Sequence, residues 1–154
     1  MQLSDIISQD SVIANAKSNS KKQVLQDVAE IASNNTGVSA RVIFELLLQR
    51  ERLGSTGIGN GVAIPHGKLP GLKRISGVFA RLSKPIPFES MDDEPVDLVF
   101  AILAPEGSGA DHLKALSRIA RIMRNPNTLD ALRQTTDKDV IFSLLDSEET
   151  ATAA

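Results

Sequence analysis

His66 and His112 are the only two histidines in a chain of 154 residues that contains no cysteine, tryptophan or tyrosine. Without thiols, proton transfer or nucleophilic attack near neutral pH must use one of these imidazoles or the carboxylates. Free imidazole has a pKa of about 6.5, so much of it is neutral and nucleophilic near pH 7. His66 lies in Pro65-His66-Gly67, which reads as the end of a short strand, Val62-Ala63-Ile64. There a side chain can project from the sheet edge; the proline restrains the backbone and the glycine leaves open space. Just upstream, Gly54-Ser55-Thr56-Gly57-Ile58-Gly59-Asn60-Gly61 is a glycine-rich loop whose amides can approach and face an anion. Arg50 precedes it at the end of a helix. Taken singly, each feature has a plainer reading: a tight connection, a structural histidine, a helix-end charge. Together they describe a site that could hold a phosphoryl group on an imidazole.

The chemistry would be in-line attack by the ring nitrogen on phosphorus, giving a phosphohistidine. Phosphoryl transfer needs mainly positioning and charge stabilisation. Arg50, the Ser55 and Thr56 hydroxyls and loop amides such as that of Gly57 could supply both. His112 begins a helix, either as an ordinary first-turn polar residue or as a second imidazole donating to the phosphate. Nucleotide motifs fail on spacing: Gly61 and Gly67 are separated by five residues, and Lys68 is followed by Leu69 instead of a hydroxyl. The glycine run follows a helix and enters a strand, the reverse of a dinucleotide fingerprint. No cofactor is implied, and no Asp/Glu cluster has the spacing of a metal site.

The elements that must position these groups follow from periodicity. Ser20-Lys21-Lys22-Gln23 is a capping-box pattern opening a helix with Val24, Leu25, Val28, Ile31 and Ala32 on one stripe. Asn34–Gly37 stops it. Ser39 is expected to cap a second helix that buries Val42, Ile43, Leu46 and Leu47. Ile75–Leu82 and Val96–Leu103 read as strands, the second central and covered on both faces. A helix over Asp111–Arg124 should turn Leu113, Leu116, Ile119, Ala120 and Met123 inward; a short helix at Leu129 and Leu132 and a final one marked by Val140, Ile141, Leu144 and Leu145 should follow. The first twenty residues read as a lead-in and residues 147–154 as a flexible tail. The fold class is therefore α/β, one sheet with helices packed on it. A net charge of −2, from 17 Lys+Arg against 19 Asp+Glu, argues against nucleic acid. Met1–Asp10 lacks a signal-peptide pattern and the apolar runs are short, so a cytoplasmic domain without membrane insertion is expected.

The segment Arg50-Glu51-Arg52-Leu53-Gly54-Ser55-Thr56-Gly57-Ile58-Gly59-Asn60-Gly61-Val62-Ala63-Ile64-Pro65-His66-Gly67-Lys68 closely resembles the active-site segment of phosphotransferase-system EIIA proteins of the mannitol/fructose class. Within that class it most resembles the nitrogen-regulatory EIIA. The similarity continues through Pro85-Ile86, Phe88, Pro95–Ala101 and His112-Leu113. It implies a single-domain sandwich, residues 1–146, with a mixed parallel/antiparallel sheet flanked by helices. It also implies that His66 is the phosphorylated residue, on Nε2, with Arg50 steadying the phosphate and His112 as second active-site histidine. Ser55, Thr56 and Gly57 match positions of the phosphate loop. The resemblance implies a phosphotransferase component that is mainly regulatory. It would take phosphate from a histidine-containing phosphocarrier protein and act on targets such as potassium-transport proteins or sensor kinases. The alternatives are a sugar-specific EIIA serving a separate EIIB, and a binding module in which His66 never reacts.

Overall fold

Strand β6 (Val96–Pro105) is the axis of the molecule, and its sequence explains why. Leu98, Phe100, Ile102 and Ala104 point to one face, while Val99, Ala101 and Leu103 point to the other, and all are buried. Such a strand must be covered on both sides. On one side lie α1 (Lys21–Thr36) and α2 (Ala40–Leu53), packing Val24, Leu25, Val28, Ile43 and Leu47 against the sheet. On the other lie α3 (Ala110–Ile122), α4 (Pro126–Arg133) and α5 (Lys138–Ala153), contributing Ile119, Ile122, Leu129, Leu132, Ile141 and Leu145. This computed structural model describes residues 2–153, with side chains through residue 147.

The sheet also contains β1 (Val12–Ala16), β2 (Gly57–Gly59), β3 (Val62–Ala63), β4 (His66–Leu69) and β5 (Ser76–Ile86), in the order β1-β5-β6-β3-β2 with β4 also on β6. β5 runs antiparallel to β6; β1 is parallel to β5, and β3 and β4 are parallel to β6. The mixed sheet flanked by helices is the one expected. β3 and β4 pair along the same edge of β6, at Leu98–Val99 and Ile102–Pro105 respectively. Ile64-Pro65 interrupts them, since proline has no N–H to give the ladder. The Ile102 amide nevertheless donates to the Pro65 carbonyl at 2.9 Å, so register continues across the break.

Several expectations need correction. The first twenty residues are structured: two 3-10 turns, Leu3–Asp5 and Gln9–Ser11, bury Leu3 and Ser11, and β1 joins the sheet. A five-residue strand with Asn and Ala carries too little apolar alternation to announce itself. Ser39 precedes α2 without a side-chain cap bond. Ser20 does cap α1 by accepting from the Gln23 amide, but the Gln23 side chain accepts from Asn19. In α3 the inward face is His112, Ala115, Ile119 and Ile122, which leaves Leu113 65% exposed. The backbone of α5 stays helical to Ala153, past Ser147 where a tail was expected; Ala154 lies outside the described residues.

Candidate active site

His66 opens β4 instead of closing the strand before it, and this fixes where its ring points. Side chains alternate along a strand. Leu69 is buried in the α1/α2 layer and Gly67 backs onto Leu46 of α2, so His66 and Lys68 share the opposite face, toward α3. The glycine after His66 is thus not open space. A Cβ at Gly67 would stand 3.0 Å from Leu46, and the missing side chain lets strand and helix close.

His112, the third residue of α3, is turned inward and is only 7% exposed. Its ring centroid lies 5.6 Å from that of His66, with 47° between the planes. The His66 Nδ1 lies 2.8 Å from the Ile64 carbonyl. A carbonyl can only accept, so Nδ1 carries the proton and, in the neutral ring, Nε2 carries the lone pair. Burial is the main cause lowering the His66 pKa below its ordinary value near 6.5. The Ile64 bond and Glu51 pull it up, and Arg50 pushes it down. His112 is lowered by burial first, then by His66 and Lys68. Both rings are therefore neutral near pH 7. His112 Nδ1 is buried with no hydrogen-bond partner among the described residues.

Arg50, in the last turn of α2, donates from Nη1 to the Gly54 carbonyl at 2.9 Å, and its charge reaches the His66 ring. The fold thus brings together His66, His112 and Arg50. Of the expected donors on Ser55, Thr56 and Gly57, several are engaged within the turn. The Ser55 hydroxyl donates to the Phe88 carbonyl at 2.9 Å and accepts from the Gly57 amide at 3.0 Å. The Thr56 amide donates to both carboxylate oxygens of Glu51, at 2.9 and 3.2 Å. A Cβ at Gly57 would meet Ser90 at 2.6 Å, so that glycine serves close packing. These three residues build the turn, which uses the Ser55 hydroxyl and the Thr56 and Gly57 amides. The Thr56 Oγ1, like His112 Nδ1, is buried without a partner among the described residues.

Two further charged residues, Glu51 and Lys68, belong to this site. Glu51 continues the buried stripe Ile43, Leu47, Glu51 at four-residue steps, which puts a carboxylate where an apolar residue belongs. Lys68 lies two residues beyond His66, hence on the same strand face. Among the described residues no group of three or more His, Asp or Glu side chains could hold a metal ion.

Residues 5–148 match the family described as phosphoenolpyruvate-dependent sugar phosphotransferase system, EIIA 2. The chain belongs to this family. It is 55% identical over 145 residues to a nitrogen regulatory protein of Bradyrhizobium diazoefficiens, covering 94% of this chain and 95% of that one. A nitrogen regulatory protein of Escherichia coli K12 is 37% identical, over 97% of this chain and 92% of its own length. Among solved structures, the nitrogen regulatory protein IIA-Ntr from Neisseria meningitidis superposes with a TM-score of 0.88 at 31% identity, covering 93% of this chain and 98% of that one. As an EIIA domain, this chain is a phosphotransferase-system component. No helix among its described residues is long and apolar enough to cross a membrane.

Proposed function

We propose that this EIIA protein is a phosphoryl-carrying regulator of the nitrogen-related branch. It accepts phosphate at Nε2 of His66 from a histidine-containing, HPr-type phosphocarrier in the cytoplasm. The observation that carries this reading is the 2.8 Å bond from Nδ1 to the Ile64 carbonyl, which leaves Nε2 as the nucleophile on a ring held neutral by burial. The nitrogen-regulatory names of its relatives support the branch.

In the transfer, the Nε2 lone pair forms the new N–P bond as the donor's N–P bond breaks, and that electron pair returns to the donor imidazole. Nδ1 keeps its proton on the Ile64 carbonyl, so the ring takes the formal positive charge. Arg50 draws the phosphoryl oxygens by charge, and an N–H of His112 can donate to one of them. The phosphate then adds roughly −1.5 to −2 charge at the surface, which targets such as potassium-transport proteins or sensor kinases could read.

Incubation with phosphoenolpyruvate, EI and an HPr-type carrier should give an acid-labile phosphate on the wild type and none on His66→Ala. An alanine variant that takes up phosphate at the wild-type rate overturns the assignment. Rapid discharge to one EIIB would assign the chain to the sugar branch instead.

A further inference from the structure

Glu51 has no part in the transfer just described, yet its side chain is 2% exposed and lies within electrostatic reach of the His66 ring. A buried carboxylate is costly unless its oxygens are satisfied. Here the Thr56 amide reaches both oxygens, and Lys21 Nζ from α1 stands 3.4 Å from Oε1. Between Glu51 and Thr56 lies the turn whose Gly54 carbonyl accepts from Arg50. Two successive residues of α2 therefore grip one turn, Glu51 by an amide and Arg50 by a carbonyl. Lys21 ties that grip to the neighbouring loop: it is 3.4 Å from Glu89 and lies over the Phe88 ring, 4.8 Å from its centroid.

Holding the Thr56 amide does not require a charge, because the carbonyl of a glutamine side chain would also accept it, though more weakly. The charge has a separate effect. It acts on His66 in the sense opposite to Arg50. The phosphorylated ring carries one positive charge and its phosphoryl group roughly −2, so the added charge is on balance negative, attracted by Arg50 and repelled by Glu51.

We propose that Glu51 is a positioning residue that pins the turn carrying Arg50's contact and, through its negative charge, keeps the phosphorylated form of His66 poised to release its phosphoryl group. The proposal rests on the reading that His66 accepts phosphate.

The test is the phosphoryl equilibrium with an HPr-type carrier charged in advance by phosphoenolpyruvate and EI, with EI then removed. The ratio of the two phosphoproteins is read by intact mass at alkaline pH. Glu51→Gln keeps an acceptor for Thr56 but loses the charge. It should shift the ratio toward phosphorylated EIIA on the order of three- to tenfold. Lys21→Met leaves Glu51 uncompensated and should shift it the other way. Because the glutamine still holds the Thr56 amide and so keeps the turn and Arg50 in place, a scaffold role alone would leave the ratio where it was. An unchanged ratio in folded Glu51→Gln overturns the proposal; if that variant does not fold, an unchanged ratio in Lys21→Met does so.

The unphosphorylated protein provides a separate readout. With Arg50, His112 and Lys68 in place, the His66 titration midpoint should fall further in Glu51→Gln. Wild-type protein that takes no phosphate would refute the phosphoryl-acceptor reading, and an unmoved midpoint would refute the charge link.

Discussion

Burial keeps His66 and His112 uncharged at neutral pH, and the same burial makes the protein sensitive to acid. Both folded-state pKa values lie below the ordinary value of 6.5, with desolvation as the leading cause. An unfolded chain therefore binds more protons than the folded one as pH drops below 6.5, and stability must fall there. The contribution is intact above 6.5 and is lost as pH falls through the lowered values. Urea unfolding between pH 7.5 and 5 should show this decline, at up to about 1.4 kcal/mol per pH unit for each histidine involved. His66→Gln should flatten it; an identical slope in that variant would refute the burial argument. At this scale the two histidines were legible because they are scarce, and Arg50 because it ends a helix just before a glycine run. The loop donors were not. Whether the Ser55 hydroxyl faces a ligand or the Phe88 carbonyl depends on a partner 33 residues away, which local spacing does not encode.

At the scale of elements, the site depends on strand alternation meeting helix phase. His66 faces α3 because Gly67 and Leu69 face α2, and His112 meets it because α3 turns residues 112, 115, 119 and 122 inward. The inward stripe expected from apolar residues alone had chosen Leu113. Helix phase by hydrophobicity misplaces a polar residue that the core accepts for its site. Gly67 is a close-packed point of this arrangement, with a would-be Cβ 3.0 Å from Leu46. Gly67→Ala should cost about 1–3 kcal/mol by overpacking. Leu46→Ala in the same chain should recover part of that loss, a coupling measurable by a double-mutant cycle in urea. Strict additivity of the two changes would show that the contact is not what the glycine serves.

For the whole molecule, one doubly covered strand organises two helical layers, and the site sits where both layers reach the β3–β4 break. α2 brings Arg50 and Glu51 to it and α3 brings His112, while the sheet edge presents His66. The central strand and the main helices were readable from apolar runs such as Val96–Ala104. β1 was not, since a short strand made largely of Ala and Asn gains its identity only by pairing with β5. One nitrogen of one ring, Nε2 of His66, takes the phosphoryl group in the function proposed above. Nitrogen-15 and phosphorus NMR of the phosphorylated protein, labelled at histidine, locates it directly. Phosphorus should couple to Nε2 of His66, with Nδ1 still protonated; coupling to Nδ1 of His66 or to either nitrogen of His112 would overturn the assignment.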